Sequence, residues 1–111
     1  MDIKISGSRQ DPVSSIDLAQ AAAFIARAQR PDGEIPWCEG QKTDPWDHVE
    51  SAMGLSVGGY LAESQRAFEW LARKQLDDGS WYTAYRQGVA EDKTRDANLS
   101  SYIAVGLLHY Y

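Results

Sequence analysis

The segment Arg73-Lys74-Gln75-Leu76-Asp77-Asp78-Gly79-Ser80-Trp81 closes a run of periodically spaced apolar residues. A weaker copy, Arg27-Ala28-Gln29-Arg30-Pro31-Asp32-Gly33, lies 46 residues upstream with Arg, Gln, Asp and Gly in register. The same spacing aligns Ile25 with Leu71 in the apolar runs that precede the two segments. Agreement at one spacing across both a helix-like run and a turn indicates an internal repeat.

The apolar runs before these two segments predict two helices. The earlier helix should start near Ser15, a good cap residue, and should stop at Pro31 and Gly33. The later helix should run from about Leu61 to Gln75 and end at Asp78-Gly79. The corresponding positions of the two apolar stripes are Leu18, Ala22, Ile25 and Gln29, and Ser64, Phe68, Leu71 and Gln75.

Two further helices are predicted to begin at aspartate caps. Asp44 precedes Pro45, which suits the first helical position, and this helix should end at Gly58-Gly59. A last helix should begin near Asp96, which aligns with Asp44 at a spacing of 52 residues. Residues 82–95 form a polar stretch, so we expect an inter-helix loop there.

These patterns predict an all-α protein built from helical hairpins. Residues 1–13 should form an extended lead-in, and two helix-pair repeats should cover residues 14–58 and 61–111. Such a unit cannot bury its apolar face alone and normally needs at least about three stacked neighbours. We therefore expect missing C-terminal repeats in a longer protein, or pairing with a second copy, and we expect the 111-residue piece to be inert by itself.

Composition narrows the function classes. The 111 residues are 43% apolar and 24% charged, which is typical of a globular domain. The formal net charge is −5 and the eleven basic residues are scattered, which argues against nucleic acid as a partner. We expect no transmembrane segment, because no apolar run approaches the ~20 residues that a membrane span needs. The start, Met1-Asp2-Ile3-Lys4, lacks a secretory pattern, so we expect a cytoplasmic protein.

Cysteine usage argues against disulfides and against a multi-cysteine metal site. Cys38 is the only cysteine, so no intrachain disulfide can form. Cys38 and His48 lie ten residues apart without a second cysteine or histidine nearby, which is a weak constellation for zinc. We predict no metal site, and the sequence does not specify a cofactor.

Residues 66–81 resemble the QW repeat of squalene and terpene cyclases, which protein prenyltransferase β subunits share in looser form. The resemblance rests on Arg66-Ala67, Phe68, Leu71, Gln75 and Gly79-x-Trp81, and Ile35 stands where the first copy would need a tryptophan. It implies part of an α/α toroid and an isoprenoid substrate, processed by cyclisation or prenyl transfer. The residues that it assigns to the repeat scaffold are Gln29, Gly33, Gln75, Gly79 and Trp81.

The candidate catalytic residues are Asp47, His48 and Glu50, on the first turns of the second predicted helix. Asp47 and Glu50 share one helix face, and a carboxyl group beside an imidazole in an apolar cavity can act as general acid and base. The alternative is structural, since acids in a first helical turn stabilise the helix dipole by ~0.3–1 kcal/mol.

Aromatic residues near the turns are the candidate substrate-binding group, namely Trp37, Trp46, Tyr85 and Tyr102. Aromatic faces stabilise carbocations and also stack on sugar rings, so the residues themselves do not choose between these ligands. The resemblance favours isoprenoid chemistry. Two alternatives stay open: a carbohydrate-active toroid with an acidic pair acting on a glycosidic bond, and a non-catalytic helical scaffold.

Overall fold

The computed structural model describes residues 12–110, and this part of the chain is mostly helical. A short 3-10 helix (Pro12–Ser15) precedes four α-helices: α1 (Leu18–Ala28), α2 (Pro45–Val57), α3 (Leu61–Lys74) and α4 (Ala97–Tyr110). This confirms that the chain is mostly helical, although a small two-stranded sheet departs from the all-α class that the sequence predicted. Of the predicted lead-in, residues 1–11 lie outside the described residues. No helix within 12–110 is long and apolar enough to span a bilayer.

Helix α1 begins later than the sequence predicted. Its N-cap is Asp17, whose side chain accepts a hydrogen bond of 3.0 Å from the backbone N–H of Gln20. Ser15 instead ends the 3-10 helix and donates its hydroxyl to the backbone oxygen of Pro12 at 2.7 Å. Aspartate is as good an N-cap as serine, and here Asp17, rather than Ser15, caps the helix.

The turns after α1 and α3 have the same geometry. The side-chain amide of Gln29 donates to the backbone oxygen of Gly33 at 3.1 Å, and that of Gln75 donates to the backbone oxygen of Gly79 at 3.0 Å. Both glycines have positive φ, +102° and +89°, which other residues rarely adopt. The turn chemistry therefore repeats along with the sequence.

Helix α2 is central and packs against α1, α3 and α4. Close approaches at glycines let the helices meet: a Cβ on Gly106 of α4 would lie 2.2 Å from Cγ2 of Val49, and one on Gly58 would lie 2.1 Å from Cβ of Ala22. Two groups of buried residues form the core, Val49, Trp70, Leu71, Trp81, Tyr85, Leu99 and Ile103, and Ile35, Ala52, Leu55 and Ala67.

The inter-helix loop predicted for residues 82–95 contains a short antiparallel hairpin, which the polar pattern did not predict. Strands β1 (Ala84–Arg86) and β2 (Val89–Asp92) are joined by a two-residue turn with positive φ at Gln87 and Gly88. The first long loop joins α1 to α2, and the second, which contains the hairpin, joins α3 to α4. Thr43 in the first long loop forms a bridge with Tyr85 through two backbone hydrogen bonds of 2.7 and 2.8 Å. This pairing fastens the two long loops together beside the N-terminal ends of α2 and α4.

Candidate functional site

The N-terminal ends of α2 and α4 border a cleft of about 290 Å³. Three of its lining residues are acids and none is basic, so the cleft favours polar or cationic groups over anions. The lining residues are Asp44, Trp46, Asp47, Thr83, Asp96 and Leu99.

Two of the three acids cap the helices. The Oδ1 atom of Asp44 accepts from the backbone N–H of Trp46 at 2.8 Å, and that of Asp96 accepts from Asn98 at 2.8 Å and from Leu99 at 3.2 Å. A cap of this kind stabilises its helix by about 1 kcal/mol, so both carboxylates have a structural use. Asp47 is the lining acid that is not a cap.

Asp47 has an environment suited to acid–base chemistry. Partial burial raises the pKa of its carboxyl group above the usual value, and the neighbouring charges of Asp44 and Glu50 raise it further. A hydrogen bond from the Trp37 side chain and the charge of Lys42 act in the opposite direction. The net rise brings this carboxyl group closer to a pH at which it can hold a proton.

Trp37 presents an exposed indole next to this acid. Its side chain is 55% exposed and lies close enough to Asp47 to lower the pKa of that carboxyl group. The ammonium group of Lys42 lies 4.6 Å from the centroid of the indole ring, and the backbone N–H of Trp37 donates to the oxygen of Lys42 at 3.0 Å. The indole is thus a flat surface held in place at the edge of the cleft.

The other predicted aromatic residues divide into two kinds. Trp46 lines the cleft and stacks on Tyr102, with ring centroids 4.9 Å apart and an angle of 15° between the planes. Tyr85 lies in the core at 3% exposure, edge-on to Trp70, and accepts a hydrogen bond from the backbone N–H of Tyr82. Tyr85 therefore does not line the cleft, in contrast to its predicted role in substrate binding.

His48 does not join Asp47 and Glu50, in contrast to the predicted catalytic trio. It is fully buried: Nδ1 accepts from the backbone N–H of Ile35 at 3.0 Å, and Nε2 donates to the backbone oxygen of Ala67 at 2.9 Å. Burial lowers the pKa of His48 to about 4. With both nitrogens occupied, the neutral ring joins the loop between α1 and α2 to α3, while the side chains of Glu50 and, in part, Asp47 are accessible to solvent.

The residues assigned to the repeat scaffold make scaffold contacts. The amide of Gln29 also donates to the backbone oxygen of Glu63 at 2.9 Å, which joins the first helix pair to α3. The indole N–H of Trp81 donates to the backbone oxygen of Leu71 at 2.8 Å. The motif therefore describes how a helix is fastened to its turn and to the next helix.

Within residues 12–110 no three His, Cys, Asp or Glu side chains lie close enough to hold a metal ion. Cys38 is exposed and His48 is buried with both nitrogens engaged, so the weak pair noted in the sequence does not form a site.

Two residues of the cleft, Asp44 and Asp96, are predicted by the sequence only as helix caps and not as part of a site. Their alignment at a spacing of 52 residues was the signal that could have placed them at neighbouring corners of one surface.

Comparison with known proteins points to carbohydrate chemistry. The chain matches no protein-family model. Over 91 residues it is 50% identical to a protein of Mycolicibacterium hassiacum named MMP endo-(1,4)-3-O-methyl-alpha-D-mannosidase. The match covers 82% of this chain and 25% of that relative, so the chain spans about a quarter of the relative's length.

This similarity corrects the family expected from the QW-like segment. The relative is a glycosidase by name, so the assignments to terpene cyclases and prenyltransferases, and to an isoprenoid substrate, were wrong. The physical reason lies in the motif itself, since the hydrogen bonds that Gln75 and Trp81 make within residues 12–110 fasten helix α3 to its turn and do not specify a substrate. The carbohydrate alternative is better supported.

Proposed function

We propose that this chain contributes a glycan-binding cleft to a hydrolase that acts on α-1,4-linked, 3-O-methylated mannosides. The observation that carries the proposal is the 50% identity over 82% of the chain to the M. hassiacum protein with that activity in its name. The substrate class comes from that name, and the cleft between the N-terminal ends of α2 and α4 is the surface that we assign to it.

The aromatic residues of the cleft suit such a substrate. Carbohydrate sites combine aromatic faces with a few polar groups, and Trp37 and Trp46 stand beside Asp47 in this way. A 3-O-methyl ether replaces a hydroxyl donor with an apolar group. Burying a methyl-sized group against an indole stabilises binding by ~0.8 kcal/mol, so methylated sugars gain more from these faces than unmethylated ones.

Asp47 is the carboxyl group that we assign to the glycosidic oxygen. Glycoside hydrolysis requires one carboxylic acid that is still protonated at the working pH, and partial burial raises the pKa of Asp47 in that direction. Asp44 and Asp96 line the same cleft and are the candidates for the second carboxylate. Because both already cap helices, their positions are fixed before any sugar binds.

We also infer that the two helix pairs are consecutive units of an α/α toroid. Support comes from the equal geometry of the Gln29 and Gln75 turns and from the paired aspartate caps of α2 and α4. In such an arrangement equivalent helix ends lie on the same side of the layer. The cleft at two of those ends would then be part of a larger ligand surface.

The test is calorimetric titration of the 111-residue chain with an α-1,4-linked tetrasaccharide of 3-O-methylmannose. We expect Trp37→Ala to weaken binding by ~10-fold, about 1.4 kcal/mol, because a stacking face is lost. The matched control is Phe24→Ala, which removes an aromatic ring that is 62% exposed on α1. Absence of binding by the unmodified chain, or an equal loss in both variants, would contradict the proposal. Maltotetraose, an unmethylated α-1,4-glucan, should bind more weakly.

A further inference from the structure

A second, apolar groove of about 370 Å³ lies along α3 and α4. We call it the α3–α4 groove. Its lining is mainly aliphatic and aromatic, with one side-chain amide and one hydroxyl, and none of its residues lines the acidic cleft. Six of the lining residues matter below: Leu71, Ala72, Gln75, Trp81, Ala104 and Leu107.

The same positions in the first helix pair are covered by α3. At the repeat spacings of 46 and 52 residues, these six residues are equivalent to residues of the first helix pair. The equivalents are Ile25, Ala26, Gln29, Ile35, Ala52 and Leu55. Ile35, Ala52 and Leu55 form one buried cluster with Ala67 of α3, and Ile25 and Ala26 pack against it. Gln29 completes the set by donating to the backbone oxygen of Glu63. The first pair therefore already holds a helix in the equivalent groove.

The second helix pair has groups equivalent to those that contact α3 in the first pair, but no helix lies against them within residues 12–110. His48 donates to α3, and its equivalent at the 52-residue spacing is Ser100, whose buried hydroxyl has no hydrogen-bond partner within residues 12–110. A Cβ on Gly33 would meet the backbone oxygen of Arg66 at 2.2 Å, whereas its equivalent Gly79 faces only the Gln75 amide, at 3.9 Å. Among residues 12–110, nothing therefore supplies the second pair with the contacts that α3 makes with the first.

We propose that the α3–α4 groove is the docking site for an α-helix of the α3 type, contributed by a further helix pair. The helix that fits has small residues at the positions of Ser64 and Ala67, since these let the α3 backbone approach the first pair. One of its backbone oxygens accepts from Gln75, as that of Glu63 accepts from Gln29. Three quarters of the M. hassiacum relative lie outside its match to this chain, which leaves room for such pairs.

The test extends the chain so that a second α3 follows α4. Residues 1–109 are joined to a second copy of residues 58–111, because His109 aligns with Val57 and the link Gly58-Gly59-Tyr60 is then restored. In hydrogen exchange, amides of the added α3 should exchange at least ~100-fold more slowly than in the same extended chain carrying Ala104→Glu in its first copy of α4. Ala21→Glu, on the exposed surface of α1, is the matched control and should leave the protection unchanged.

Two outcomes would overturn the proposal. One is exchange of the added α3 at the rate of an unfolded peptide, or at equal rates with and without Ala104→Glu. The other is a dimer of the 111-residue chain that Ala104→Glu dissociates in sedimentation, because a second copy would then be the occupant. A monomeric 111-residue chain combined with protection of the added helix supports docking. Ala104 is exposed, so the variant should fold, and the thermal midpoint of the 111-residue variant checks this.

Discussion

The buried imidazole of His48 makes the stability of the fold depend on pH in a calculable way. Its pKa is lowered to about 4 from an ordinary 6.5, because burial disfavours the charged ring. Above pH 6.5 the ring is neutral in both the folded and the unfolded chain. Between pH 6.5 and 4 the unfolded chain binds a proton that the folded chain refuses, so the free energy of unfolding falls as the pH falls.

The size of this effect follows from the two pKa values. A gap of about 2.5 pH units at ~1.4 kcal/mol per unit amounts to about 3 kcal/mol lost between pH 6.5 and 4. His48→Gln keeps an acceptor for the Ile35 N–H and a donor for the Ala67 oxygen but cannot titrate. We expect the variant to lose ~1–2 kcal/mol at pH 7 and to show a shallower acid dependence.

The assay is urea unfolding followed by tryptophan fluorescence at intervals from pH 7.5 to 4.5. The difference in slope between the unmodified chain and His48→Gln should approach 1.4 kcal/mol per pH unit below pH 6. His109→Gln changes the other histidine, whose side chain is exposed, and serves as the matched control. Equal slopes for His48→Gln and the unmodified chain would refute the reasoning, as would titration of His48 near pH 6.5 in the folded protein.

Two further substitutions test the packing. Gly106→Ala places a Cβ 2.2 Å from Cγ2 of Val49 and should destabilise the chain by ~1–3 kcal/mol, measured by urea unfolding; unchanged stability would mean that α2 and α4 are not in close contact. Trp81→Phe keeps a ring but removes the N–H that donates to the oxygen of Leu71, and a loss of ~1–2 kcal/mol in the same assay is expected. A loss below ~0.5 kcal/mol would contradict a buried hydrogen bond from the Trp81 indole N–H and would indicate that water solvates it.

Local signals in the sequence were enough to place most helices. Asp44 with Pro45 marks the start of α2, and Asp96 marks the start of α4, because a capping side chain bonds to backbone groups within three residues. Gly33 and Gly79 mark the ends of the turns because their positive φ is costly for other residues. Only α1 was displaced, since Ser15 and Asp17 compete for one cap.

The hairpin was missed because its stability depends on distant residues. Its strands span three and four residues, too short for an alternating pattern to be recognised. The turn Gln87-Gly88 differs from the Asn-Gly and Asp-Gly pairs that mark such turns in sequences. Pairing of Tyr85 with Thr43, more than forty residues away, supplies contacts that no local window contains.

The candidate site was partly predictable for a similar reason. Asp47, Trp37 and Trp46 were identified because polar and aromatic residues near a helix start are informative without knowledge of packing. The position of His48 relative to Ile35 and Ala67 follows from how the first loop and α3 fold onto α2, which the sequence does not display. The QW-like segment correctly predicted helix α3 and the turn after it, but its use as a guide to the substrate failed because the hydrogen bonds of Gln75 and Trp81 go to the backbone of that helix and turn.

The most direct test of the proposed glycan cleft uses the four tryptophans as internal probes. Trp37 is exposed and Trp46 lines the cleft, whereas Trp70 and Trp81 are buried at 0% and 7% exposure. In ¹H–¹⁵N spectra of the chain titrated with 3-O-methylmannose oligosaccharide, we expect the indole signals of Trp37 and Trp46 to shift and those of Trp70 and Trp81 to stay in place. Four unmoved signals at millimolar sugar, or shifts confined to the buried pair, would contradict the account.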